Sequence, residues 1–576
     1  MTHPNLYMGA PVELTTLPNG AITHAGSQRQ LTQSMYLEPT VDKVAPGVTV
    51  FGGDGFLNLT LIEGEGGLIV YDTGEVESDG ERFLKQIRSV SDKPIVAILY
   101  SHSHYVHGSK QLVGDGVGVK IIGHPQLNTN LALGSSGTTF GETQPLQTSR
   151  SMQQFNHYVS RSGPDAAAGA VISFGKSGML PVNTPVGHGE CMCIAGVDMQ
   201  FFTANGSDTD DCMTVYLPAL GVVLNNFLWP FMPNVYTLRA SKFRDPRDWR
   251  DGLQTILDLA PEVLVNTHAR ALRGKAVVAN ALEHVIAALN FTLDQSLRGM
   301  LRGLGPEELR EFVRLPDELA AHPNLAEVYG EVSHFGPYLY HHALGWFDGD
   351  AASINPLPID EQAQRLVAAM GGRDSVLVQA KQAMEKREYA WATQLLQYLY
   401  RLDPTDSIVR THKADALKAL ARVTPAHTIR SWYLTHARAL QGEVTVPRLR
   451  FAAPRVLAMS APAVSMEQYR VRLDPMRCKN QCISLAIRFS DRDARHAWRV
   501  RFGVAEFIAS VNSGPAPSLE LVSSFDTWLL FFSCRITLDA FMDGTSIQSG
   551  SEEQVREFFS WFDYYFEADN SIVPMP

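Results

Sequence analysis

The chain alternates between short runs that are apolar throughout and longer stretches that are apolar on one side only. Ile95-Val96-Ala97-Ile98-Leu99 has no polar alternation, as expected of a strand buried on both faces. Upstream, 57–62 and 68–71 predict two further strands in a hairpin-like meander, with Glu63-Gly64-Glu65-Gly66-Gly67 as the turn between them. A helix over 80–90 then leads into the 95–99 strand, so the order here is strand, strand, helix, strand. Residues 276–302 predict a long amphipathic helix, with Val277, Leu282, Val285, Leu289, Leu293, Leu297 and Met300 at helical spacing. A second helix ends near Leu315-Pro316. The Pro- and Asp-rich stretch 348–360 reads as a linker.

From 361 to about 442 the pattern is nearly all helical. Glu388-Tyr-Ala-Trp-Ala-Thr-Gln-Leu-Leu, followed by Asp403-Pro404 and another helix, resembles a tetratricopeptide-type pair. From 444 to 576 short strands (484–488, 497–502, 527–538) alternate with helices. The tail 552–566 sets Val555, Phe558, Phe559, Phe562 and Phe566 along one side. On general grounds an aromatic helix face is core.

The chemistry lies where the 95–99 strand ends. Leu-Tyr-Ser-His-Ser-His-Tyr-Val-His-Gly (99–108) carries His102, His104 and His107. Two imidazoles at i, i+2 on a bent loop can be aimed at one ion. Without other signals the same histidines would make an ordinary hydrogen-bonded turn. The strand 68–71 also ends in a motif, Asp72-Thr73-Gly74.

At 576 residues the chain exceeds one core, and about two to four domains are expected. A formal charge of −11 with no Lys/Arg run argues against nucleic acid as the main partner, though not against an anionic substrate. No membrane span is expected. Met1-Thr2-His3-Pro4-Asn5-Leu6 lacks a secretion signal, so a cytoplasmic protein is expected. Cys191, Cys193, Cys212, Cys478, Cys482 and Cys534 are scattered and read as reduced thiols.

The 102–107 motif resembles the His-x-His-x-Asp-His metal motif of the metallo-β-lactamase superfamily, with Val106 where that family has aspartate. Tyr216-Leu-Pro218, Asn234-Val-Tyr-Thr-Leu-Arg239, Asp245-x-x-x-Trp249, Asn266-Thr-His268, Ser333-His334 and Leu344-Gly-Trp-Phe-Asp-Gly349 resemble one branch of it, the alkylsulfatases. The resemblance runs from about Ala45 to the C-terminus. It implies an αββα sandwich over 1–350, an all-α dimerisation domain over 351–443, and an α+β sterol-carrier-protein-like domain over 444–576 with an apolar tunnel. It also implies a homodimer.

The resemblance further implies roles. His102, His104 and Asp208 match one metal site, with Asp208 standing where the family has glutamate. His107 and His268 match a second site. Asn226 aligns with the carboxylate that bridges both metals, so Val106 and Asn226 remove two anionic ligands together. A dication on two neutral imidazoles would lack charge and ligands, which predicts one ion. Zinc is favoured, and iron suits the same two-His, one-carboxylate set. Asp210, Asp211 and Cys212 could compensate, though they read more simply as a polar loop.

Asn234 and Arg239 match sulfate-holding residues, since a guanidinium fork suits tetrahedral oxyanions. The alternative for Arg239 is a salt bridge to Asp245 or Asp248. His334 matches a histidine near the ester that could act as acid; the alternative is a helix-terminus histidine. The segment 227–233 (Phe-Leu-Trp-Pro-Phe-Met-Pro) is apolar where the family carries polar residues. The expected function is metal-dependent hydrolysis of a small anionic, alkyl-bearing sulfate ester or related ester, by attack on sulfur or on carbon. Two alternatives stand beside it. One is a repurposed mononuclear metalloenzyme of specialised metabolism, with iron and oxidative chemistry as one form of it. The other is a non-catalytic lipid-binding homologue.

Overall fold

The computed structural model describes residues 5–132, 139–169, 175–479, 481–510, 516–565 and 571–573. Strands β1 (Thr40–Ala45), β2 (Val48–Gly52), β3 (Leu59–Glu63), β4 (Leu68–Tyr71), β5 (Ile95–Leu99), β6 (Lys120–Gly123) and β7 (Thr184–Pro185) lie side by side in sequence order. The first four pair antiparallel, and β4 to β7 pair parallel. The switch comes where helix α1 (Glu77–Arg88) separates β4 from β5 and supplies the crossover that parallel strands need.

A second sheet contains β8 (Cys191–Ile194), β9 (Val197–Phe202), β10 (Thr214–Leu217), β11 (Val222–Asn225), β12 (Val263–Asn266) and β13 (Leu272–Arg273), again in order. Its one parallel pair, β11 with β12, is bridged by α2 (Pro246–Asp258).

Strand β11 shows how the layers form. Val222 and Leu224 enter the core between the sheets with Ile69, Leu99 and Val215. Val223 points the other way, into a cluster with Trp249 and Leu253 of α2 and Leu282 of α3 (Lys275–Leu301). Both faces are covered, which is why such strands read as unbroken apolar runs. Helix α1 buries Phe83 and Ile87 outside the inter-sheet core. The architecture is the αββα sandwich.

Helix α3 corrects the expected stripe. Leu282, Val285 and Leu289 are buried, but Val277 and Leu297 are exposed, and Val278, Ala281, Ala288, Thr292 and Ser296 turn inward. The inward face is set by small residues as much as by large ones, which lets neighbouring helices approach closely. By length and composition α3 could cross a bilayer. Here its inward face packs on α2, α4 (Pro306–Phe312) and α5 (Phe335–Leu344).

Between α5 and the next helix, part of 348–360 forms one short turn, Ala351–Ser353. Helices α6 (Ile359–Ala369), α7 (Arg373–Glu385), α8 (Tyr389–Leu402), α9 (Ser407–Val423) and α10 (His427–Leu440) follow. They belong to the same compact unit as the sandwich, which takes in 1–127, 150–446 and 573–576.

A second unit takes in 128–149 and 447–572. Its sheet holds β14 (Ile483–Phe489), β15 (Arg495–Arg501), β16 (Val504–Ile508), β17 (Leu519–Ser523) and β18 (Thr545–Ser549) in the order β16-β15-β14-β17-β18. The strand expected over 527–538 is not there. Helix α11 (Phe525–Phe532) occupies its first half, capped by the Ser524 hydroxyl accepting from the Thr527 amide. Phe525, Trp528, Leu529 and Phe532 then share a buried face. An apolar run this dense carries no period of its own, so the cap decides. In α12 (Glu552–Ser560) and just beyond it, Val555, Phe558, Phe559 and Phe562 pack with Trp498 and Trp528 as core. Phe566 lies outside the described residues.

Candidate metal centre

The ligand-bearing loop begins where β5 ends, and Asp72 fixes its start. This residue closes β4 in the left-handed region (φ +65°). Its Oδ1 accepts from the Ser101 amide at 2.8 Å and its Oδ2 from the Thr267 hydroxyl at 3.3 Å. The ends of β4, β5 and β12 are thereby tied together. Burial raises the Asp72 carboxyl to about 7. Gly108 lets the loop lie against Thr73, because a Cβ there would meet the Thr73 carbonyl at 2.0 Å.

His102 follows directly and is fully buried. Its Nδ1 meets the Ser101 hydroxyl at 2.8 Å, and its Nε2 is buried without a hydrogen-bond partner. That Nε2 stands 3.7 Å from Asp208 Oδ1, and His104 Nδ1 stands 3.2 Å from Asp208 Oδ2. Each of the three residues offers one donor atom, and these lie within 4.8 Å of one another. Burial pushes His102 down to about 3, so its imidazole is neutral and its lone pair available. Burial alone would raise Asp208. The hydrogen bond from His104 and the Arg244 cation act against it, and the carboxyl is held well below its usual range. Two imidazoles, one of them with an orphaned buried nitrogen, and an ionised carboxylate fit a divalent cation.

The loop carrying Asp208 is anchored from both sides. Asp211 accepts from the Ser103 amide and hydroxyl, both at 3.3 Å, which docks it on the histidine loop. Asp248 of α2 accepts from Asn205 Nδ2 and the Gly206 amide. Asp210 is exposed, 3.6 Å from Lys242. Cys212 is buried against the Ser207 and Thr209 side chains, and burial pushes its thiol up to about 12. These residues build the loop and stand outside the three-residue cluster.

The second-site histidines have other partners. His107 Nδ1 meets the Ser177 hydroxyl at 2.7 Å. His268 Nδ1 meets the Phe56 carbonyl at 2.8 Å; a carbonyl only accepts, so this nitrogen carries the proton. His268 Nε2 is then the acceptor facing the Tyr105 hydroxyl at 3.4 Å. Burial lowers both imidazoles to about 4. Val106 is fully buried. Asn226 Nδ2 donates to Asp208 Oδ1 at 2.9 Å, supporting a ligand of the first site. The apolar 227–233 segment becomes a wall in which the Trp229 ring lies 4.7 Å from that of His268.

Asn234 is buried with its Oδ1 unpartnered, and Arg239 Nε is likewise buried without a partner. The acids proposed as alternatives for Arg239 are engaged elsewhere. Asp245 pairs with Arg247, and Asp248 holds the Asp208 loop. His334 lines a cleft with Thr237, Leu238 and Glu331, beside the segment leading to Arg239. Burial lowers its pKa.

Three contributors carry little or no signal in the sequence. Arg244 is buried and donates to the carbonyls of Asp208 (3.1 Å) and Asn234 (2.8 Å), joining the metal cluster to the 234–239 segment. Its only signal was a cation just before the Asp245-Pro246 cap. Tyr105 stands among the imidazoles, its centroid 5.0 Å from His102 and 5.3 Å from His268. Gln154 accepts from the Arg239 amide at 3.0 Å and carries no sequence signal.

Comparison with known proteins gives concordant results. Residues 52–107 match the metallo-beta-lactamase superfamily, and residues 305–443 match the family described as alkyl sulfatase dimerisation. A linear primary-alkylsulfatase of a Pseudomonas species is 32% identical over 482 residues, covering 80% of this chain and 90% of the relative. An alkyl/aryl-sulfatase of Saccharomyces cerevisiae is 26% identical over 553 residues, covering 92% and 84%. The solved structure of a stereoselective inverting sec-alkylsulfatase from Pseudomonas superposes with a TM-score of 0.79 at 24% identity, covering 95% of this chain and 87% of that one.

Proposed function

This chain belongs to the alkylsulfatases of the metallo-β-lactamase superfamily, and from that premise we propose that it hydrolyses an alkyl-bearing sulfate ester at one divalent metal ion. The observation that carries the reading is the buried, unpartnered His102 Nε2 beside His104 and Asp208. His102, His104 and Asp208 would hold the ion, which when bound supplies Lewis acidity and a water acidified toward neutrality. Asn226 keeps Asp208 oriented, and Arg244 offsets its charge. Arg239 would bind the sulfate with its fork, and Asn234 would turn either end of its amide to the ester. His334 is the residue proposed to protonate the departing alcohol.

Support for one ion comes from the second-site residues. Val106 offers no donor and Asn226 brings no charge, which leaves His107 and His268 as two neutral imidazoles without an anionic ligand. Zinc is the preferred ion. Iron is the alternative because the donor set is common to both. The six free thiols support a reducing, cytoplasmic setting, and the 305–443 match supports a homodimer.

The test is metal content per chain on protein purified without added metal, with sulfate release followed on primary and secondary alkyl sulfates. About one ion is expected, lost together with sulfate release in Asp208→Asn. Two ions per chain would overturn the one-metal reading. No release from any alkyl sulfate would overturn the hydrolase.

A further inference from the structure

Against the backbone that carries Arg239 lies a chamber with four aromatic rings in its wall. Phe56, Phe155, Phe231 and Tyr329 line it, Phe231 stacked on Tyr329 at 5.4 Å and Phe56 edge-on to Phe155 at 6.3 Å. Two contacts join it to the metal centre and the sulfate residues. The Phe56 carbonyl accepts from His268, with the Phe56 ring 4.9 Å from that imidazole. Gln154, also in the wall, accepts from the Arg239 amide and donates to the Tyr329 hydroxyl at 3.3 Å. The backbone of Arg239 is thereby anchored on the wall of this chamber.

The wall is not uniformly apolar. His427, at the start of α10, lines the chamber, is 7% exposed, and keeps its Nε2 buried without a hydrogen-bond partner. A buried polar atom without a partner costs roughly 1–3 kcal/mol, and His427 carries one in the lining of a chamber that is mostly apolar. A plain hydrocarbon would leave it unsatisfied. Burial lowers His427 to about 4, so at neutral pH it offers a neutral imidazole. Such a ring suits a hydroxyl, which can donate or accept, better than a second anion.

We propose that this chamber receives the hydrocarbon part of the substrate and that His427 pairs with a hydroxyl carried on it, which makes the chain selective for hydroxylated alkyl sulfates over plain ones. The inference rests on the sulfate-ester reading above and adds to it the nature of the alcohol half.

The test uses the metal-loaded full chain with hexyl sulfate and its 4-, 5- and 6-hydroxy derivatives, by calorimetric binding and by sulfate release. At least one hydroxylated ester is expected to exceed hexyl sulfate by ~10-fold or more in affinity and in kcat/KM. His427→Leu should erase that preference, bringing the ratio of hydroxylated to plain ester to about one in affinity and in kcat/KM. His427→Gln should keep part of it, and melting curves report whether each variant folds. Equal treatment of all four esters by the parent protein overturns the proposal, as does a preference that persists in His427→Leu. The two readings fail separately. Hydroxyl-selective, His427-dependent binding without sulfate release sinks the hydrolase and keeps the chamber. Release without selectivity does the reverse.

Discussion

Single side chains decide how the candidate metal centre is held. Arg244 has its guanidinium buried against two backbone carbonyls, one belonging to Asp208 and one to Asn234. Arg244→Met keeps much of the volume, removes both donors, and leaves Asp208 without its nearest fixed positive charge. Metal affinity should fall roughly 10–100-fold, as expected when a ligand's supporting contact is lost. Competition with a chromogenic chelator measures it. Glu327 offers a pH signature away from the metal. Burial, then Glu331, raises its carboxyl to about 7, while the Val332 amide and Arg314 act in the opposite sense. Between its ordinary value and 7 the folded chain binds a proton that the unfolded chain has released. Its contribution is therefore full at low pH and lost as pH rises through 7. Glu327→Gln should melt higher than the parent at pH 8, and the gap should close toward pH 4. About 1–2 kcal/mol is expected, less than the full shift implies, since the residue is only partly buried.

At the scale of elements, connection length and caps account for most of what forms. Antiparallel pairing holds where turns are short and gives way to parallel pairing across α1 and α2. The strand endings that result place Asp72, His102 and His268 at one end of the sandwich, where loops are free to carry chemistry. Helix α11 is the instructive exception, because Phe-Asp-Thr-Trp-Leu-Leu-Phe-Phe satisfies a strand pattern and a helix pattern alike. Its Ser524 cap selects the helix. Ser524→Ala should cost about 1 kcal/mol in denaturant unfolding of the full chain. No change in the unfolding midpoint would mean that packing of Trp528 and Phe532 suffices without the cap.

For the molecule as a whole, the 305–443 segment carries a band of outward apolar residues: Leu344, Trp346, Phe347, Ile354, Leu357 and Ile359 are 37–66% exposed. Exposed apolar residues gathered in one stretch mark an interaction surface. For the homodimer proposed above, Trp346→Asp should shift the particle mass toward that of a monomer in light scattering, with the proposed sulfate release per chain retained. A dimer that persists would move the interface elsewhere on the helices.

Much of this was legible before the fold. The 95–99 run, the 102–107 loop and Asp72-Thr73-Gly74 are local patterns, and local patterns set strand ends and ligand types. Val106 and Asn226 became legible as missing carboxylates only through the family resemblance, against which each stands where an acid is expected. Long-range partners were not legible. Arg244 reaches Asp208 across 36 positions, His268 faces Tyr105 across 163, and Gln154 and His427 meet the chamber from segments far apart in the chain. Periodicity by itself determined strands and helices and the histidine loop, since these follow from backbone geometry and side-chain chemistry, whereas the αββα layers and Asp208 and His268 as ligands came with the family resemblance. Which buried polar atoms found partners, and which were left for a ligand, was decided only when the sheets and helices closed around them.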